Sequence, residues 1–179
     1  MTSTVSIRIE APRQPEVERL LAGSSEYSFS LGYPPEACFL LDVGQLEQPG
    51  VRLFVARNGA GDALGIAALV EDGHADDEHA AVYAGRGELK RMYVDEAARG
   101  LGVAGRLLEA IEADAAARGL RELVLETGTL HLPAQALYAK HGYRVIPHFG
   151  PYVGEEYSVC MAKPLASHSA DAEVASLHP

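Results

Sequence analysis

The chain of 179 residues has no tryptophan and only two cysteines, Cys38 and Cys160. Two thiols far apart in sequence cannot build a disulfide framework; they read as the reduced, buried cysteines of a cytosolic protein. Positive charge is scarce. Fifteen Lys and Arg face 25 Asp and Glu, for a net charge of −10. That balance argues against a nucleic-acid binder, which would show a basic face, but a local cradle can still hold a small polyanion. No apolar run approaches the roughly 18 residues of a membrane span. The start, Met1-Thr2-Ser3-Thr4-Val5-Ser6, lacks the basic and apolar regions of a signal peptide. What is present is ordinary for a soluble globular protein: 47% hydrophobic and 22% charged residues. A chain of this size buries roughly 70% of its unfolded surface and needs no staples.

One domain is expected over residues 1–165, followed by a disordered tail, 166–179, of small and polar residues without apolar period. Residues 5–9 alternate like a strand. A helix follows from Pro15, with Val17, Leu20 and Leu21 on one face. Residues 24–35 mix turn formers with aromatics and read as a loop or short helices; residues 40–47 read as a further helix. Residues 51–56 and 64–70 form a hairpin about Asn58-Gly59-Ala60-Gly61. Residues 71–80 are an acidic loop. A strand over 88–94 leads through a loop into a helix over 103–118, whose apolar stripe is Ala104, Leu108, Ile111 and Ala115, with Gly119 as its cap. The strand over 120–126 is continuously apolar at its centre, as expected when both faces are covered. A short helix over 133–141 ends at Gly142, and two last strands occupy 143–146 and 156–161. The order is that of an α/β fold, a central sheet with helices on its faces.

The densest signal is Arg99-Gly100-Leu101-Gly102-Val103-Ala104-Gly105-Arg106, between a strand and a helix. Glycines let the backbone turn sharply and let a ligand approach, and the N–H groups of a helix start favour an anion. A phosphate cradle follows naturally; a tight turn with no ligand is the plain alternative. Gly105 is followed by Arg106-Leu107 rather than Lys-Ser/Thr, so this is no Walker loop. Gly100-x-Gly102-x-x-Gly105 with Glu126 downstream matches a dinucleotide fingerprint literally. Against it, five residues separate strand from first glycine, and no second nucleotide-binding half follows.

Arg99-x-x-Gly102-x-Ala104 resembles the Arg/Gln-x-x-Gly-x-Gly/Ala signature of the GNAT superfamily of N-acetyltransferases. Leu89-Lys90-Arg91-Met92-Tyr93-Val94 resembles the family's fourth strand and Leu125-Glu126-Thr127-Gly128 its fifth. Ala134-x-x-Leu137-Tyr138-x-x-x-Gly142-Tyr143-Arg144 resembles its fourth helix and exit, and Pro151-Tyr152 with Ser158-Val159-Cys160 a C-terminal pattern of one bacterial branch. The resemblance is strongest over residues 88–164. It implies a mixed, mostly antiparallel sheet of six to seven strands flanked by about four helices, with the fourth and fifth strands splayed. It also implies transfer of acetyl from acetyl-CoA to a primary amine of a small molecule, with no metal, no nucleic acid and no membrane; a homodimer is compatible with it.

Site residues are implied one by one. The pyrophosphate of the donor would sit on the N–H groups of Arg99, Gly100, Leu101, Gly102, Val103, Ala104 and Gly105. The main chain of Met92, Tyr93 and Val94 would pair with the pantetheine arm. Tyr138 matches the family's general acid: a phenol with a reference pKa near 10 stays protonated and can give its proton to a thiolate. Core packing is the alternative for that ring. Glu88, through water, is the candidate for accepting the amine proton, with Glu126 its rival. His131 stands where the family often has Asn or Gln in contact with the cofactor; it could equally serve as base or cap the helix. On the acceptor side stand Tyr33, Glu126 and Thr127, with Tyr27, Pro34, Glu36, Phe149, Tyr152 and Glu155 as further candidates. Acidic Asp72, Asp76, Asp77 and Glu78 could steer a cationic amine. Acetylation of a protein N-terminus or lysine, and a non-catalytic acyl-CoA sensor, are the other functions this pattern allows.

Overall fold

The computed structural model describes residues 4–71 and 80–166. Seven strands form one sheet in the order β1-β2-β3-β4-β5-β7-β6. They are β1 (Ser6–Ile9), β2 (Val51–Arg57), β3 (Ala63–Glu71), β4 (Arg86–Val94), β5 (Glu122–Gly128), β6 (Arg144–Ile146) and β7 (Ser158–Pro164). Every pairing is antiparallel except β4 with β5. This is the mixed sheet expected from the resemblance. Five helices accompany it: α1 (Pro15–Ser30), α2 (Val43–Leu46), α3 (Ala80–Tyr83), α4 (Val103–Ala117) and α5 (Leu132–Lys140). Among the described residues, no helix is long and apolar enough to cross a membrane. The tail beyond Ala166 and the acidic cluster Asp72, Asp76, Asp77 and Glu78 lie outside the described residues.

The sheet is covered on both faces. On one, α4 buries Val103, Leu107, Leu108, Ile111 and Ala115 against Phe54, Leu69, Leu89, Leu123 and Leu125. On the other, α1 buries Val17, Leu20 and Leu21 against Leu53, Val55, Ile66 and Ala68. Phe54, Val55, Ile66, Ala67, Leu69 and Val70 are all buried, so β2 and β3 read as near-continuous apolar runs. A third cluster, Tyr83, Phe149, Tyr152 and Cys160, closes the far end of the sheet.

Two elements differ from the sequence expectation. Residues 24–30, expected as a loop or short helices, complete α1. The serines there are accommodated because Ser25 and Ser28 hydroxyls donate back to the carbonyls of Leu21 and Ser24, both at 3.1 Å. The stripe of α4 also starts one position earlier than expected. Val103 takes the inward place and Ala104 is left at the edge of a cleft. Cys38 and Cys160 are both free thiols.

Candidate active site

β4 and β5 separate partway along their length. Their parallel register runs from Arg86↔Glu122 to Leu89↔Leu125 and stops. β5 stays with β7 as far as Gly128↔Ser158. β4 stays with β3, but with a bulge between the Ala68↔Lys90 and Ile66↔Tyr93 pairs. Arg91, inside that bulge, is the one described non-glycine residue in the left-handed region, at φ 55°. From Lys90 to Val94 the β5-facing edge of β4 has no strand beside it, which leaves main-chain donors and acceptors free for an extended ligand.

A cleft of about 450 Å³ occupies the gap. One end reaches the start of α4. Gly100 and Gly102 have φ of 80° and 75°, and a Cβ on either would meet nothing within 4 Å. The loop therefore lies open to a ligand. The first main-chain bond of α4 runs from the Arg106 N–H to the Gly102 carbonyl; the N–H groups of Val103, Ala104 and Gly105 have no acceptor within the helix. The Val103 side chain is buried, so it can meet a ligand only through the backbone, whereas Leu101 is exposed. Gly105 backs onto His141, whose ring lies 3.1 Å from where a Cβ would stand.

Arg99 and Ala104 line the same end of the cleft. The Arg99 guanidinium stacks 5.4 Å over the Tyr27 ring, which meets the His131 ring edge-on at 5.1 Å. His131 caps α5: its Nδ1 accepts the Ala134 N–H at 3.3 Å. Burial, with Arg99 nearby, lowers its pKa, which favours the neutral ring that accepting at Nδ1 requires.

Met92, Tyr93 and Val94 line the middle of the cleft. Its far end is built by Glu126 and Thr127 of β5, Tyr138 of α5, Lys90 and Arg91 of β4, and a strap after α1 that carries Tyr33, Cys38 and Leu40. Tyr157 completes this end and meets Tyr33 edge-on at 5.9 Å. The Glu126 carboxylate accepts the Ser158 hydroxyl at 2.8 Å. Burial pushes its pKa up, against the pull of the Ser158 hydrogen bond and Lys90. Burial and the Glu126 charge push the Tyr138 phenol up as well, so its hydroxyl is firmly protonated.

Glu88 is placed elsewhere. It is 4% exposed and lines a separate cavity of about 280 Å³ with Tyr83, Pro151 and Tyr152. The Tyr152 hydroxyl donates to its carboxylate. Lys90 Nζ donates to the Tyr152 oxygen at 2.8 Å and stands 3.7 Å from Glu88 Oε1. Lys90 lines both cavities and so links Glu88 to the cleft only indirectly. Phe149 is core, packed edge-on against Tyr83 and Tyr152. Pro34, Glu36 and Glu155 are not among the cleft-lining residues. Lys90, Arg91, Cys38 and Leu40 line the cleft and were not singled out from sequence; the signal for the first two was a pair of adjacent cations between Leu89 and Met92 of a strand. Among the described residues, no His, Cys, Asp or Glu cluster could hold a metal.

The acetyltransferase (GNAT) family model matches residues 15–143. An IAA acetyltransferase of Azospirillum brasilense is 40% identical over 161 residues, covering 90% of this chain and 98% of that protein. A solved structure from Klebsiella pneumoniae, described as an acyl-CoA N-acyltransferase, superposes with a TM-score of 0.74 at 33% identity, covering 91% of this chain and 99% of the other. An IAA acetyltransferase structure from Bacillus cereus shares the fold at 20% identity, with a TM-score of 0.62 and coverage of 90% and 100%. Fold, cleft and relatives together define an acyltransferase that takes its acyl group from acyl-CoA. The chain belongs to the GNAT family of acetyltransferases.

Proposed function

We propose that this acetyltransferase moves the acetyl group of acetyl-CoA directly onto the primary amine of a small molecule. The observation that carries the reading is that Glu126 and Tyr138 line one cleft whose other end opens on the start of α4. The donor end fits acetyl-CoA. Free N–H groups and a helix dipole await the pyrophosphate, and the unpaired edge of β4 can take the pantetheine amides as a missing strand. When bound there, acetyl-CoA supplies an activated thioester; the remaining chemistry belongs to the protein.

Two proton movements are needed, and each has a residue. Glu126, whose burial raises its pKa, accepts the proton of the attacking amine. A carboxylate shifted upward is a better base near neutral pH than an ordinary one. Tyr138 holds its proton until the thiolate leaves and then gives it to that sulfur. Glu126 is preferred to Glu88 for the first task, because Glu88 is bound to Tyr152 and lines the neighbouring cavity. His131 caps α5 through Nδ1 and lines the cleft.

A small acceptor is favoured over a peptide because the strap bearing Tyr33 meets Tyr157 across the acceptor end, and the cleft of about 450 Å³ has to hold the reactive arm of the donor as well. The relatives named for IAA point the same way. The test is thiol release from acetyl-CoA with a panel of primary amines and of short peptides, with the amide product verified by mass. Amine-dependent release with small amines is expected. Release with peptides alone, or none above background hydrolysis, overturns the reading.

A further inference from the structure

In a protein of net charge −10, the cleft is lined by three cations, Lys90, Arg91 and Arg99, against one carboxylate, Glu126. Two of the cations are accounted for. Arg99 stands at the donor end over Tyr27. Lys90 donates to Tyr152 beside Glu88 and bears on Glu126. Arg91 is different. It is 8% exposed, and its guanidinium donates only to neutral oxygens: the Leu21 carbonyl at 2.7 Å and the Ser25 hydroxyl at 3.2 and 3.3 Å. Its buried Nε has no acceptor. No described carboxylate pairs with it, and desolvation alone lowers its pKa, to about 10. The group stays charged, held out of water without a counter-ion, which is costly. The backbone that carries it is held at positive φ in the bulge, a conformation kept only where the surroundings enforce it.

Arg91 also stands at a junction. With Cys38 and Leu40 it lines both the cleft and a neighbouring groove of about 490 Å³, walled by Leu21, Phe29 and Val43; Glu18 and Asp42 also line that groove, but neither is bonded to Arg91. On the cleft side, Leu40 and Met92 line the wall with it and weaken screening, so an anion placed there would feel this charge strongly. Among the described residues Glu126 is the only carboxylate lining the cleft, and it already has its own partner in Ser158. A group that neutralises Arg91 must therefore come with the ligand.

We infer that the acceptor is an amine that also carries a carboxylate, bound with its carboxylate toward Arg91 and its amine toward Glu126. The inference rests on the acetyltransferase reading of the cleft and narrows it to zwitterionic acceptors of the amino-acid type. It excludes polyamines, whose second cation would meet Arg91. A carboxylate fits better than a phosphate monoester, because three of the guanidinium's hydrogen bonds are already spent on α1 and few donors remain.

The test compares, on the wild-type protein, thiol release from acetyl-CoA with α-amino acids, with the corresponding amino-acid amides, and with putrescine and spermidine. A charge-assisted hydrogen bond in a dry site corresponds to roughly 10- to 100-fold, so kcat/KM for the best amino acid should exceed that of its amide by about tenfold or more. In Arg91→Met that ratio should collapse toward one. Equal or better use of the amides or polyamines by the wild type overturns the inference and leaves the acetyltransferase reading standing, and needs no variant that folds. A preference that survives Arg91→Met also overturns it. Release with no amine of any class overturns both.

Discussion

The ring of Tyr33 rests directly on the main chain of Gly128, so closely that a Cβ at Gly128 would overlap the phenol. The Leu130 N–H donates to the same phenolic oxygen. One residue of the strap is thereby fixed to the end of β5, two positions from Glu126. Gly128→Ala must push Tyr33 away, and overpacking of this kind typically costs about 1–3 kcal/mol. The expected result is a melting temperature lower by several degrees and a raised KM for the acceptor amine, with acetyl-CoA affinity within about twofold of the parent. Melting curves and the two KM values check it. An unchanged acceptor KM would show that Tyr33 does not shape the acceptor end.

The loop before α4 has the opposite character, since nothing lies within 4 Å of a Cβ at Gly102. A side chain there meets only the cost of positive φ, about 1 kcal/mol for a non-glycine residue. Gly102→Glu should therefore fold, while placing a negative charge where the donor's pyrophosphate is expected. Affinity for acetyl-CoA should fall by at least about tenfold, with circular dichroism and melting little altered. Equilibrium dialysis or calorimetry with acetyl-CoA measures it; parental affinity in a folded variant would displace the cradle from this loop.

Much of the fold was legible because its signals are local. The hairpin of β2 and β3, the capped helix α4 and the apolar centre of β5 all follow from period and turn chemistry. The end of α1 was not, since Ser25, Ser28 and Ser30 look like turn formers until their hydroxyls are seen bonded to carbonyls of their own helix. The site was half legible. Loop, Tyr138 and Glu126 stand in motifs, but the gap between β4 and β5 is a matter of pairing, which no property of either strand announces. The bulge at Arg91 also breaks the alternation by which faces are assigned. That is why Glu88 could be placed near the reaction from its strand, yet lies against Tyr152 in another cavity.

The assignment of Glu126 as base fixes the pH dependence. A base must be ionised, so kcat/KM should rise with pH through the apparent pKa of Glu126 and then level. Burial raises that pKa, so the rise should fall above the ordinary carboxylate range. The Ser158 hydroxyl pulls the other way by bonding to the carboxylate. Ser158→Ala should move the acid limb to still higher pH, whereas Glu126→Gln should abolish it and lower turnover by about 10²-fold or more. An acid limb that stays in place in both variants would assign the proton to another group.

Tyr138 is separated from a purely packing role by one atom. Its ring is buried and meets Tyr143 edge-on at 5.8 Å, contacts that Tyr138→Phe keeps. Tyr143, unlike Tyr138, has a hydrogen bond to a carboxylate, Glu112, at 3.1 Å. Removing the Tyr138 hydroxyl should thus leave melting temperature and acetyl-CoA affinity little changed. If that hydroxyl protonates the leaving thiolate, turnover falls, typically by about 10²–10⁴-fold for general acid catalysis. The thiolate of CoA is itself a fair leaving group, which places the expectation toward the low end. The measurement must be made at saturating amine, with single-turnover kinetics showing that chemistry limits the rate. Tyr143→Phe is the matched control: it removes a buried phenolic hydroxyl from the same aromatic pair and should cost stability rather than turnover. A loss below about threefold in Tyr138→Phe, far under the general-acid range, would leave Tyr138 a core residue and pass the proton to water or to His131.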